Sequence, residues 1–341
     1  YSHRLVARLF LQTKDKNTLK PAKRNSKELP HAALFFSIVL ILCDLWTVDK
    51  RYLNDGNFMT AKKHTEQQFP KTVADEWILR DTSPSYRVLN LQGTWNESRT
   101  SYFHKSIGGY HAAKLGRYQD LIDRRLSQEE NAIIRQLQSA KQQSDLEAVF
   151  ANCPTLNMLN AKYIIYNTGQ PPIVNPAANG NAWFVQSYRF VDTPDEEMAA
   201  LQTLNPKTEA VFDRQFQLSI TNYQLPATLP VDSAASIVMT AYFPNRVEYK
   251  SSSAQAGLAI FSEVYYKNGW KAFIDGERVP ISRANWILRA LVVPAGEHEI
   301  KMVFDPDDMK FAGTMTTVFS GLLMLLLLIA IVVGLIRHPQ S

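Results

Sequence analysis

The sequence is poor in cysteine: its 341 residues carry two, Cys43 and Cys153. Cys43 falls in an apolar block and Cys153 in a polar stretch. One is expected in a membrane and the other outside it, so the two are not expected to pair. No disulfide framework and no zinc-ligand spacing exists, and neither a metal nor a cofactor is expected. An oxidising compartment is compatible with this usage but not indicated by it. The short motifs of familiar enzymes are also missing. There is no Walker loop, no dinucleotide fingerprint, no nucleophile elbow and no HExxH pair. Their absence leaves an enzyme open, but its chemistry would have to come from scattered residues. Internal repeats and low-complexity linkers are absent too. The chain opens on Tyr1 without a signal-peptide layout, and it reads as cut from a longer protein.

Charge is scarce on balance outside one segment. Residues 1–30 hold eight cations and two anions, a net +6, which leaves the rest of the chain at −1 against a total of +5. The basic character therefore belongs to a short arm, not to a fold. Such an arm is a footprint of nucleic-acid binding in some proteins. Beside an apolar segment it reads instead as a cytoplasmic loop, because Lys and Arg translocate poorly. No nucleic-acid partner is expected.

Two apolar blocks stand out from the polar middle. Residues 311–336 run for 26 residues without a charge, about 39 Å as a helix against a hydrocarbon core of about 30 Å. Arg337 and His338 follow at once and suit a cytoplasmic end. A buried core helix would leave so long an uncharged run no exposed face. The first block, residues 32–43, is short, but His31 to Val48 gives about 27 Å and spans a thin bilayer. Asp44 would then lie near one interface beside Trp46, a typical belt residue. A buried helix of a soluble domain is the alternative. Topology favours a span, since the basic arm precedes it and orients it from inside to outside. The last helix then returns from outside to inside, and the partner of both is the lipid bilayer.

The middle divides in two. Capping patterns at Thr72, Ser127 and Ser144, and Thr193 followed by Pro194, predict helices. Ile133, Ile134 and Leu137 recur at helical spacing and read as core. Strand-like runs cover 86–91, 162–167 and 182–190. From about residue 208 the chain reads as all-β, with strands expected at 208–212, 214–220, 235–243, 245–251, 257–263, 269–274, 277–281, 285–293 and 298–304. Asp275-Gly276 is a strong hairpin signal. The expected fold class is an α+β extracytoplasmic region with a C-terminal antiparallel β-sandwich, flanked by two transmembrane helices. The expected organisation is a basic cytoplasmic segment (1–30), a transmembrane helix (31–48), a mixed region (49–207), a β-sandwich (208–310), a second transmembrane helix (311–336) and a cytoplasmic tail (337–341).

The densest polar-aromatic stretch is Thr100 to Asp120. It gathers Tyr102, His104, Lys105, Tyr110, His111, Lys114, Arg117 and Tyr118. Gly108 and Gly109 permit a tight turn or close backbone approach to a ligand. Lys114 and Arg117, three apart, would share a helix face. Cations beside tyrosines and histidines suit a phosphorylated or sugar ligand. A surface loop entering a solvated helix uses the same residues, and composition alone favours it. In the β-region Trp270, Phe273 and Trp286 fall in expected strands. Trp270 and Trp286 are candidates for stacking on sugar rings, although buried aromatics are commoner and at least one is expected in the core. Asn96-Glu97-Ser98 fits a glycosylation sequon, a pattern short enough to recur by chance.

These blocks resemble a known family. LCDLWTVDKRYLND resembles the helix exit of the YfhO family of bacterial multi-spanning membrane proteins. YRVLNL, SYFHKSIGGYHAAKLGRYQDLID, LNMLNAKYIIYN and NPAANGNAWFV resemble its extracytoplasmic blocks. IFSEVYYKNGWKAFIDGERVPISRANWILRALVVPAGEHEIKMVFDP resembles its β-region, and the final helix follows in place. The resemblance covers nearly everything after residue 30, with Bacteroidetes-type members nearest. It implies a polytopic protein of the cell inner membrane, similar to lipid-linked sugar transferases of the GT-C class. Such proteins move a sugar from a polyprenyl-phosphate carrier to an envelope polymer acceptor on the outer side. The resemblance puts the family's catalytic carboxylate in an earlier loop, so no catalytic residue is named in this chain. The rival readings are a non-catalytic carbohydrate-binding or scaffold domain, and an accessory to a lipid or polymer transporter.

Overall fold

A computed structural model describes residues 31–139, 143–217, 225–226, 228–229 and 234–337. The basic arm, all of the tail after Arg337, and the second half of the expected strand 214–220 lie outside the described residues. The side chain of Ser144, expected as a cap, does too. The chain divides into two compact units, residues 1–68 and 69–341. In the first, a helix runs from His31 to Tyr52, and its large apolar side chains from Leu34 on are exposed. Asp44, Asp49 and Lys50 interrupt its apolar character. A shorter helix, Ala61–Gln68, follows.

The second unit is mixed α/β with antiparallel sheets. Its helical half opens on Val73–Ile78, where Thr72 and Asp75 cap each other reciprocally. Strands β1 (Arg87–Asn90), β2 (Ala161–Ile165) and β3 (Ile173–Val174) form a small sheet in which β1 and β2 are parallel. Between β1 and β2 lies a continuous helical run. Gly116–Leu121 passes through a π-turn at Ile122–Leu126 into Ser127–Ser139. Ser127 is therefore interior to a helix and caps nothing. Glu130, the acidic residue three positions after Ser127 that would complete that cap, and its neighbour Glu129 are both used elsewhere. Glu129 accepts from the amides of Thr155 and Leu156, and Glu130 accepts from the Trp95 indole at 2.7 Å.

The expected run 182–190 breaks at Gln186 into β4 (Ala182–Val185) and β5 (Ser187–Val191), which join different sheets. Thr193 accepts from the Glu196 amide and starts the helix Pro194–Ala200. β5 pairs in parallel with β6 (Glu209–Asp213). The expected strand at 214–220 is a 3-10 turn over Arg214–Phe216, because the Asp213 carboxylate takes the Gln215 amide at 3.0 Å and ends the extended chain.

The remaining strands are β7 (Ser236–Phe243), β8 (Arg246–Ser253), β9 (Gly257–Val264), β10 (Trp270–Ile274), β11 (Glu277–Val279), β12 (Ser282–Ala284), β13 (Leu288–Val293) and β14 (Gly296–Phe304). They build a five-stranded sheet in the order β11-β10-β14-β8-β7. With β4 they build a four-stranded sheet, β12-β13-β9-β4. Asp275 and Gly276 both take positive φ in the tight β10–β11 turn, as the hairpin signal requires. The expected strand 285–293 begins only at Leu288, because Asn285 and Trp286 adopt the left-handed region (φ 48° and 71°) and turn the chain between β12 and β13.

Alternation decides the layering, since neighbouring side chains on a strand point to opposite faces. Ala259, Phe261, Leu291 and Val293 share one apolar cluster with Val247, Tyr249, Ala272, Ile300 and Met302 of the five-stranded sheet. Leu258, Ile260, Ala290 and Val292 point the other way, into the large core that also holds Leu126, Ile133 and Phe212. The four-stranded sheet is thus covered on both faces, and every residue of β13 is buried. Two residues after β14, the long helix Asp307–Arg337 begins. Among the described residues it is the one helix long and apolar enough to cross a membrane.

Candidate functional site

The Thr100–Asp120 stretch is drawn into the fold in pieces. Tyr102 lies flat on Phe69 at 4.3 Å. His104 is buried with its Nε2 3.0 Å from Asp75. Burial raises the Asp75 carboxyl, but hydrogen bonds from His104, Thr72 and Arg99 outweigh that and hold it well below the usual range. Lys105 to Ile107 run beside β1, exchanging backbone hydrogen bonds with Val88. Gly108 has its reason within the chain: a Cβ there would sit 1.8 Å from the Thr94 carbonyl oxygen. Gly109 takes φ +105° and donates its amide to that same oxygen. The glycine pair packs chain against chain. Tyr118 donates to the Ile107 carbonyl at 2.6 Å, and burial pushes its phenol up to about 12. Tyr110 and His111 are exposed, and the His111 ring accepts from the Ala113 amide at 3.0 Å.

Arg117 is placed differently. Its guanidinium lies over the Trp286 ring at 4.1 Å, and its carbonyl accepts the Trp286 indole N–H at 2.8 Å. Two residues singled out in distant parts of the sequence thus form one unit. The left-handed turn at Asn285–Trp286 makes this possible. Asn285 is fully buried and exchanges hydrogen bonds with both backbone groups of Val211, which fixes the turn against β6. Beneath lies Glu197, also fully buried. It accepts from the Trp286 amide at 2.9 Å and from Arg283 at 2.9 Å, with Arg117 at 3.6 Å. Burial pushes the Glu197 carboxyl up, opposed by those donors and charges. Arg117 Nη1 has no hydrogen-bond partner. Burial and neighbouring Arg283 lower the Arg117 guanidinium, so an anion supplied from outside would be favoured there.

Arg117, Arg283 and Trp286 line a cleft of about 390 Å³ together with Phe216, Tyr265 and Lys267. Lys114, expected to act with Arg117, is not among its lining residues. A second cleft, of about 380 Å³, adjoins it along Tyr265–Lys267. Trp270 lines this one, beneath the guanidinium of Arg289 at 3.8 Å. Both tryptophans proposed for stacking therefore border clefts, each with its ring under an arginine. Sequence reasoning missed Arg283, Arg289, Lys267 and Glu197. A signal was present: SRANWILRALVV carries two arginines in an otherwise apolar strand pair, where an unforced charge is costly. No group of three or more His, Cys, Asp or Glu among the described residues is placed to hold a metal ion.

The arrangement suits recognition of an anionic, ring-bearing ligand. Guanidinium groups supply paired donors, aromatic faces supply apolar contact, and the clefts are of ligand size. No protein-family model, curated protein or solved structure matches the chain.

Proposed function

We propose that this chain is the C-terminal, acceptor-side portion of a YfhO-like polytopic protein of the cell inner membrane, similar to lipid-linked sugar transferases acting on envelope polymers. In this reading Asp307–Arg337 crosses the bilayer, and the less apolar stretch 31–48 of the first helix is a second, thinner span. The two large sheets are a β-sandwich on the extracytoplasmic side, and the ligands are a polyprenyl-phosphate-linked sugar and its polymer acceptor. The observation that carries the reading is the Arg117–Trp286 cleft, with Arg283 and Lys267 on its walls. It offers cations for phosphate and a broad aromatic surface for a sugar, which is the chemistry such a donor presents. The length and composition of the long helix support the membrane placement.

A carbohydrate-binding module without transferase activity would use the same cleft. The test is turnover of lipid-linked sugar in membranes carrying the full-length protein, with and without Arg117→Ala. Loss of turnover at unchanged membrane level supports the transferase reading. Retained turnover removes this cleft from it, and sugar binding without turnover in the unsubstituted protein favours the module.

A further inference from the structure

We propose that the cleft lined by Trp270 and Arg289 is a seat for the phosphodiester headgroup of an anionic bilayer phospholipid. The inference rests on reading the long helix as a membrane span.

Position comes first. Lys271 lines the cleft and reaches Asp305 at 3.1 Å and Asp307 at 2.8 Å. Asp307 is the first residue of the long helix, and Lys310 turns back to Asp305 at 2.5 Å. The uncharged run opens at Phe311, four residues on, or about 6 Å along a helix axis. One wall of the cleft is therefore fastened to the turn of helix that would lie among lipid headgroups.

Charge comes second. Lys271 is held between two carboxylates, but three other lining cations are not. Lys267 and Arg278 are exposed, and Arg289 is only 3 % exposed. Among the described residues no carboxylate lies within ion-pair distance of these three. Arg289 gives its Nε to the Val264 carbonyl at 3.0 Å and reaches the Met302 sulfur at 3.6 Å through Nη1. Glu263 favours this charge only from beyond ion-pair distance, a guanidinium so deeply buried is costly to keep, and an anion entering the cleft would pair with it directly. The guanidinium carbon lies 3.8 Å from the Trp270 ring centroid, a cation–π contact that helps to hold the fork in place. Trp270, Tyr265 and Tyr266 give the cleft the amphipathic aromatics suited to a membrane interface. About 380 Å³ holds a phosphodiester with its glycerol. Bulk phospholipid is the source that the helix junction presents continuously at this depth.

The experiment uses the complete chain reconstituted in phosphatidylcholine vesicles doped with spin-labelled phosphatidylglycerol or spin-labelled phosphatidylcholine. The expected result is a selectivity of about three-fold or more for the anionic lipid. It should fall to parity in Lys267→Gln/Arg278→Gln with an unchanged circular dichroism spectrum, and soluble glycerol phosphate should not compete. Selectivity that survives the double substitution overturns the site. Parity in the unsubstituted chain overturns it too. Displacement of the labelled lipid by stoichiometric polyprenyl phosphate overturns the occupant in favour of a carrier lipid. Failure of the chain to remain with the vesicles sinks the membrane reading instead, and is recognised separately by flotation.

Discussion

Arg289 lies against Trp270, guanidinium carbon to ring centroid 3.8 Å, and its hydrogen bonds go to a carbonyl oxygen and a thioether sulfur, with the Glu263 carboxylate acting on it from beyond ion-pair distance. Such a residue contributes little to stability for what its burial costs. We expect Arg289→Met, similar in length and apolar, to leave the melting temperature unchanged or to stabilise by about 1 kcal/mol. Thermal unfolding of the detergent-solubilised chain by circular dichroism checks this. A large loss of stability would make Arg289 a structural residue.

The second prediction separates Arg117 from Lys114. Arg117 is tied to Trp286 and Glu197, whereas Lys114 does not border the cleft. On the proposed transferase reading, Arg117→Ala should abolish most turnover of lipid-linked sugar, while Lys114→Ala should leave it within about two-fold. Arg117→Lys should restore only part, because a point charge cannot replace a planar fork on an aromatic face. Equal losses for both alanine variants would return the function to the loop as a whole.

Glu129 sets a pH dependence. Burial pushes its carboxyl up to about 7, against the opposing hydrogen bonds from Thr155 and Leu156. In the unfolded chain the same group ionises near its ordinary 4.5. Between those values the folded state holds a proton that the unfolded state has released. Stability from this group is therefore fullest below 4.5 and falls as pH rises through 7, by on the order of 3 kcal/mol. Glu129→Gln should flatten that slope in urea unfolding measured from pH 4 to 8. An unchanged slope would assign the dependence to other groups.

Cys153 should resist labelling. It is almost wholly buried, and burial, with nearby Glu129, pushes its thiol up to about 12. Maleimide should react with it only after denaturation, because the thiolate is the nucleophile. Membrane sidedness is better read from a cysteine placed at exposed Asn268. Fast labelling of Cys153 in the native chain would contradict its burial.

Two glycines give opposite outcomes. Gly108→Ala forces a methyl to 1.8 Å from the Thr94 carbonyl oxygen and should destabilise by about 2 kcal/mol or more. Gly116→Ala meets nothing within 4 Å at the first position of a helix and should be neutral or slightly stabilising. Chemical unfolding of the two variants side by side checks both.

Local signals were readable where local chemistry decides. Thr72, Thr193 and Asp275-Gly276 each act through residues within three positions of themselves, and each forms the cap or turn its pattern implies. Ser127 has the same pattern but lies within a helix already started at Gly116, so continuity of the preceding turn overrides it. The glycine pair at 108–109 shows the limit most clearly. Its requirement for missing side chains was legible, but the partner, Thr94, is not a ligand and lies outside the motif. Arg117 and Trp286 were singled out for separate reasons. Their union depends on a left-handed turn at Asn285–Trp286, which pairing with Val211 sustains. No window along the chain contains that information.

The passage from β14 into the long helix consists of Asp305 and Pro306 alone. Proline fixes one of the few torsions available there, and Lys271 clasps both Asp305 and Asp307 across the junction. Such a joint behaves as a stiff lever arm and not as a tether. On the proposed membrane placement, a tilt of the helix, as when bilayer thickness changes, would be transmitted as torque to β14. From there it would reach β10, whose Trp270 pairs with Phe304. The aperture between Trp270 and Lys267 would then respond to the mechanics of the surrounding lipid, and lengthening the joint with a few glycines would uncouple the two.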